Sequence, residues 1–147
     1  MNTIIQLFNR DLEKLTLEIE QFDDPENLWK TPAGIANSAG NLCLHLNGNL
    51  NHFIGAVIGQ SGYVRDREAE FSSKDIDAKE LVKRTKKTRA TVASSLQNFN
   101  KAKLDSLYPI QVFGHDMTYE FFLIHLVVHL NYHLGQINYL RRILEPS

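Results

Sequence analysis

The histidines near the end of the chain are the residues best suited to chemistry. His125, His129 and His133 recur at intervals of four in the segment IHLVVHLNYHLGQ. At about 100° per residue of an α-helix, this spacing puts the three imidazoles on one narrow face. A His-x3-His pair can bring two nitrogens to a single ion, but it cannot fill a tetrahedral site alone. A metal site here therefore needs a ligand from another element.

A second histidine pattern can supply that ligand. In a helical reading of NSAGNLCLHLNGNLNHF, an apolar stripe is flanked by a polar one that contains Ser38, Asn41, His45, Asn49 and His52. A polar stripe at the edge of a core predicts a lined pocket. His52 lies about 10.5 Å beyond His45 along a helix axis, so one ion cannot readily take both. The spacing alone leaves open which of the two is the ligand.

The alternative to a metal site is a set of histidines that only stabilises the fold. Buried imidazoles are often satisfied by hydrogen bonds to Asn, Ser or backbone groups, and for any single histidine that is the more common case. Three interior candidates, with a spaced pair and a facing partner, favour a metal site. We assign His125 to the surrounding pocket and His115 to a loop.

Four helices are predicted to position these residues. Apolar residues at alternating three- and four-residue steps predict the first helix, and Thr31 before Pro32 predicts an N-cap for the second. Asp77 with Glu80 predicts a capping box for the third. The predicted helices cover residues 4–22, 32–59, 77–101 and about 116–144. Together they predict a single all-α domain over residues 1–147, a four-helix bundle.

The connections add two expectations. The polar linker over residues 60–76 is long enough to cross the bundle, so the second and third helices can run parallel. The segment SLYPIQVFGHDM, residues 106–117, contains Pro109, Gly114 and β-forming residues. It predicts a short extended excursion or hairpin before the last helix.

Composition limits the partners. The chain has 147 residues, 43% of them hydrophobic, and a formal net charge of −1, so bulk charge predicts neither nucleic acid nor a membrane surface as a partner. Cys43 is the single cysteine; it excludes an intrachain disulfide and is interpreted as a core residue. No apolar run reaches the roughly 18 residues of a membrane span. We expect a cytoplasmic protein with a small-molecule substrate.

The chain resembles the DinB and YfiT-like metalloenzyme superfamily over nearly its whole length. NSAGNLCLHLNGNLNHFIGAVIG resembles the second helix of that superfamily, and HLVVHLNYHLGQINYLRR resembles its last helix. The resemblance implies a four-helix bundle. It also implies a divalent cation held by His45, His129 and His133.

Two further segments resemble a branch of that superfamily without an assigned function. They are the Asn-Ser-x-Gly-Asn-Leu run at residues 37–42 and the Arg-Asp-Arg-x-x-Glu-Phe run at residues 65–71. Many relatives have His-Arg-Gly-Gln in the last helix, whereas this chain has Leu134 in place of the arginine. A role in binding anionic substrates does not carry over from that position.

The predicted site suits two reactions. Three neutral nitrogens leave a divalent ion an open position, at which water can be activated for hydrolysis or a thiol held as thiolate for attack on an electrophile. The polar stripes offer no carboxylate as a general base unless Asp66 or Glu70 reaches in, which favours the thiol reaction. The resemblance implies thiol transfer for some relatives, with a low-molecular-weight thiol such as bacillithiol.

The sequence gives several candidates for the pocket residues and for the metal. The candidate pocket residues are Asn41, Asn49, His52, His125 and Gln136, with Arg65 and Arg67 as contacts for a substrate carboxylate. Nitrogen ligands suit several metals, of which zinc and nickel are the first candidates. The alternatives are a metal-dependent hydrolase and a non-catalytic metal-binding or interaction protein. In either case an apolar outer face on the last helix, with Leu123, Ile124 and Val127, is expected to pack a homodimer.

Overall fold

The computed structural model describes residues 1–146, and these residues form helices and connecting loops. The all-α class predicted from the sequence is confirmed. The α-helices are α1 (Asn2–Glu20), α2 (Ala39–Leu50), α3 (Arg67–Ser72), α4 (Ala78–Gln97) and α5 (Tyr119–Leu144). Short 3-10 helices cover Pro25–Trp29 and Lys101–Lys103. Helix α1 packs against α4 and α5, and α2 packs against α3, α4 and α5.

Helix α2 begins later than predicted. The predicted start at Pro32 is wrong, because Ser38 is the N-cap and its hydroxyl accepts a hydrogen bond from the Asn41 amide. Gly34 has φ of +84°, a left-handed conformation that ends any helix there. After Leu50 the helix widens into a π-helical segment, Asn51–Ala56, instead of continuing as α-helix to Gly59. Such segments often lie at functional sites.

Helices α2 and α4 run parallel, as the linker length allowed. Asn47 Nδ2 donates to Thr85 Oγ1 at 3.0 Å, and one turn further on Asn51 Nδ2 donates to Thr88 Oγ1 at 2.8 Å. The contacts therefore advance in the same direction along both helices. The long crossover between them contains α3, which the sequence did not predict. Helix α4 ends at Gln97, four residues before the predicted end.

Helix α5 is the longest element and runs antiparallel to α2. Thr118 caps its first turn, and a single antiparallel bridge joins Leu107 to Thr118, where the extended excursion was expected. Two residues that were predicted to form an apolar outer face do not: Leu123 and Val127 are buried. They lie on the side of α5 that packs against the rest of the domain, which leaves Ile124 outside.

No helix within residues 1–146 is long and apolar enough to cross a membrane.

Candidate metal centre

Helices α2 and α5 bring His45, His129 and His133 together. One potential ligand atom from each of these residues lies within 4.8 Å of the other two. The Nε2 atoms of His45 and His129 are 3.2 Å apart, and the His45 ring lies edge-on to both other rings. The antiparallel packing of the helices explains this convergence, since Phe53, in the π-helical segment that follows α2, contacts Phe122 near the start of α5.

The donor set fits a divalent cation. Two nitrogens on a tetrahedral zinc ion, each ~2.0–2.1 Å from it, are about 3.3 Å from one another. The observed separation of 3.2 Å between the His45 and His129 nitrogens matches that distance. His133 can complete the set with a side-chain adjustment on the order of 1 Å. The three residues that would hold the cation are therefore those that the resemblance implied.

A neighbouring amide fixes the orientation of the His133 ring. Its Nδ1 lies 2.7 Å from Gln136 Oε1, one turn later on α5. Because an amide oxygen only accepts hydrogen bonds, Nδ1 must carry the ring proton. The lone pair, which a metal ligand needs, is then on Nε2. Gln136 thus orients a candidate ligand, although it does not line the cavity described below.

His129 is held in its neutral form. Burial, together with the charges of His133 and His45, lowers the pKa of His129 from 6.5 to about 3. A neutral imidazole is the form that binds a metal ion. Its Nδ1 is buried without a hydrogen-bond partner among residues 1–146, and so is Oδ1 of Asn49 on the facing helix. Both residues line the same cavity.

A buried ion pair lies next to His45. Arg65 and Glu70 are paired at 2.8 Å, and their side chains are only 13% and 6% exposed. Arg65 Nη2 lies 3.4 Å and Glu70 Oε1 3.8 Å from Nδ1 of His45. Phe71 packs on the His45 ring with centroids 4.9 Å apart. The Arg-Asp-Arg-x-x-Glu-Phe segment therefore contacts the proposed metal centre directly.

The two segments that marked the branch of the superfamily meet in space. Asn41 Nδ2 donates to the backbone carbonyls of Glu70 and Ser73, at 3.0 and 2.8 Å. Asp66 caps α3 by accepting from the Ala69 amide. Asn41 is therefore an anchor for α3, and it does not line the cavity at the histidines.

That cavity has a volume of about 570 Å³. His45, His129 and His133 form part of its wall, and aromatic residues form much of the rest. Of the predicted pocket residues, the cavity is lined by Asn49, Arg65, Arg67 and His125. Phe53, Phe71, Phe113 and Phe122 supply apolar surface, and the Phe113 and His125 rings are in contact with centroids 4.7 Å apart.

The remaining candidates lie elsewhere. His52 packs on the Phe53 ring outside the cavity lining, and burial lowers its pKa. His115 is an exposed loop residue, as predicted. Cys43 is fully buried, which raises its pKa to about 11. Its thiol is therefore part of the core, in agreement with its interpretation from the sequence.

Sequence reasoning missed the position of Glu70 relative to the ligands. From the sequence, Glu70 was considered only as a general base reaching in from a loop. In the structure it lies on the Nδ1 side of His45, away from the convergent nitrogens. The signal that could have located it is Gly48, one turn after His45. A Cβ at that position would overlap the Glu70 carboxylate.

Comparison with known proteins agrees with the all-α fold. The whole chain, residues 1–147, matches the model of a family described as "Protein of unknown function (DUF1572)". A crystal structure of a DinB-like protein from Bacillus cereus superposes with a TM-score of 0.77 at 19% sequence identity, covering 98% of this chain and 92% of that chain. This similarity shows a DinB-like fold. No curated protein matches the sequence.

Proposed function

Given that the chain belongs to the DUF1572 family, whose function is unknown, we propose that it is a metal-dependent enzyme that transfers a low-molecular-weight thiol to an electrophilic substrate. The observation that carries the proposal is the convergence of His45, His129 and His133 at the wall of an open cavity. Three protein ligands beside accessible space are typical of catalytic sites, whereas structural sites are closed by a fourth ligand.

The bound cation would supply Lewis acidity and an exchangeable position for a thiol sulfur. Zinc and nickel remain the first candidates, because both accept imidazole nitrogen. Within the chain, Gln136 orients His133, and burial keeps His129 neutral. These contacts support a site that is ready to bind a divalent ion near neutral pH.

The cavity lining supports a substrate with an anionic group and an apolar body. Arg67 is exposed at the cavity and lies over the Phe71 ring at 5.2 Å. It is free to pair with a carboxylate, whereas Arg65 is committed to Glu70. His125 and Asn49 add polar groups between aromatic walls. In the reducing cytoplasm that the sequence led us to expect, Arg67 suits a carboxylate of a polar thiol such as bacillithiol, and the aromatic walls suit the electrophilic substrate.

The position of the acidic residues favours thiol transfer over hydrolysis. Hydrolysis needs a general base within hydrogen-bond reach of the attacking water. Glu70 is separated from the convergent nitrogens by the His45 ring, and Asp66 is engaged at the N-terminus of α3. A metal-held thiolate needs no such base. Hydrolysis therefore remains the alternative reaction.

Cobalt substitution followed by thiol addition tests the proposal. We expect bacillithiol to perturb the visible spectrum of the cobalt-loaded protein. We also expect the zinc- or nickel-loaded protein to conjugate bacillithiol to 1-chloro-2,4-dinitrobenzene. The His133→Ala variant should lose both effects. If the thiol leaves the spectrum unchanged and conjugation does not exceed the uncatalysed rate, the result would favour the non-catalytic metal-binding protein. Metal-dependent ester cleavage without conjugation would favour the hydrolase.

We also propose a homodimer that uses the outer stripe of α5, defined as Phe121, Ile124, Val128, Tyr132 and Tyr139. Each of these side chains is at least 50% exposed. On a helix they fall within an arc of about 80°, so they form one continuous apolar face. Such faces mark interaction surfaces, and a two-fold axis would pair the stripe with its copy. This stripe keeps Ile124 of the predicted face and replaces Leu123 and Val127, which are buried.

A further inference from the structure

Behind His45, on the side away from His129, lies a buried ion pair for which the proposed reaction has no direct use. Glu70 is 6% exposed, and Arg65 contacts both of its carboxylate oxygens. Space for the carboxylate exists because residue 48 is glycine, since any Cβ there would overlap Glu70. A buried charge pair is costly to desolvate and does little for stability by itself. Its position against a metal-ligand candidate suggests another role.

Two groups compete for Nδ1 of His45. Arg65 Nη2 lies 3.4 Å from this nitrogen, and Glu70 Oε1 lies 3.8 Å from it. A guanidinium only donates hydrogen bonds, so it can bond to Nδ1 only when that nitrogen has a lone pair. A carboxylate only accepts, so it needs a proton on Nδ1. The ring tautomer therefore decides which of the two neighbours is the partner.

Metal binding requires one particular tautomer. His45 can give its Nε2 lone pair to a cation only when the ring proton is on Nδ1. Arg65 then faces an N–H group and loses its acceptor, and Glu70 is the acceptor beside it. Closing the gap from 3.8 Å to a charge-assisted hydrogen bond takes a movement of about 1 Å.

We propose that Glu70 is a positioning residue, which holds His45 in the tautomer that binds the cation. The inference rests on the proposed metal centre and deepens it. Arg65 holds the Glu70 carboxylate in place through hydrogen bonds to both of its oxygens. Asn41 fixes the backbone of α3 through the Glu70 and Ser73 carbonyls. The two sequence segments at residues 37–42 and 65–71 thus form one support for the ligand on α2.

Zinc affinity tests the role of Glu70. Competition with a chromophoric chelator should show that Glu70→Ala binds zinc about 10–100-fold more weakly than the wild type. Glu70→Gln should recover part of the loss, because its amide oxygen can still accept from Nδ1–H. Glu68→Gln is the matched control: it loses the same charge from an exposed position on the same short helix, and it should bind zinc like the wild type.

A second measurement separates positioning from a role in folding. In the zinc-loaded wild type, long-range ¹H–¹⁵N spectra should show His45 protonated at Nδ1 and bound through Nε2. Coordination through Nδ1, or a Glu70→Ala variant that binds zinc as tightly as the wild type, would overturn the inference but leave the metal centre standing. If the wild type binds neither zinc nor nickel, the proposed function fails and this inference fails with it.

Discussion

Replacing His129 with leucine should make the metal-free protein less sensitive to acid. Burial, aided by the neighbouring charges, lowers the pKa of His129 from 6.5 to about 3. The unfolded chain therefore takes up a proton at this residue below pH 6.5, whereas the folded chain does not until about pH 3. The unfolded state therefore binds more protons in this window. For this reason the contribution of His129 lowers the free energy of unfolding as the pH falls below 6.5, and it has no such effect above pH 6.5.

The size of the effect follows from the shift. At pH 5, about 1.5 pH units below the ordinary value, the loss is about 2 kcal/mol at ~1.36 kcal/mol per unit. Such a change is a sizeable part of the ~5–15 kcal/mol that stabilises a domain. In urea it would move the unfolding midpoint by roughly 1 M.

Urea unfolding of chelator-treated protein at pH 8 and pH 5 measures this difference. The wild type should lose about 2 kcal/mol more between the two pH values than His129→Leu. His115→Leu, which removes an exposed loop histidine, serves as the control and should follow the wild type. If His129→Leu loses as much stability on acidification as the wild type, the account of His129 as an imidazole held neutral in the folded protein is wrong.

Three further predictions concern the core, the support of the ligands and the outer stripe. With its pKa raised to about 11, Cys43 should react with a disulfide reagent at pH 8 only when urea unfolds the protein; rapid native labelling would contradict its burial. Gly48→Ala should destabilise the fold by about 1–3 kcal/mol, because the new Cβ overlaps Glu70. Gly135→Ala, which has open space around it, should instead stabilise the fold by ~0.5–1 kcal/mol. Equal denaturation curves for the two variants would refute the contact between residue 48 and Glu70. Val128→Glu should convert the proposed dimer to monomers in sedimentation velocity, and an unchanged sedimentation coefficient would exclude the outer stripe as the interface.

The sequence predicted the long helices because their apolar periodicity is local information. It failed at the start of α2, where Thr31-Pro32 is a good helix start by itself but Ser38 is the cap in the structure. It also missed α3, a six-residue helix that depends on contacts with α2 rather than on its own pattern. Short elements that are stabilised by tertiary contacts leave little periodic signal.

In the site, too, local sequence patterns predicted some residues, and others depend on tertiary contacts. The four-residue spacing of His129 and His133 and the resemblance at His45 were enough to select the three residues that the fold brings together. The partners of those residues could not be read from spacing. Glu70 comes from a different element, and the side of His45 on which its carboxylate lies depends on how the crossover folds over Gly48.

Metal content measures the central claim most directly. Elemental analysis of tag-free protein should find about one divalent ion per chain in the wild type, with a large loss in His129→Ala. His125→Ala removes a histidine one turn away on the same helix and outside the cluster of three, so it should keep its metal. Equal metal content in the wild type and His129→Ala, or a wild type that holds none after exposure to zinc and nickel, would contradict the account.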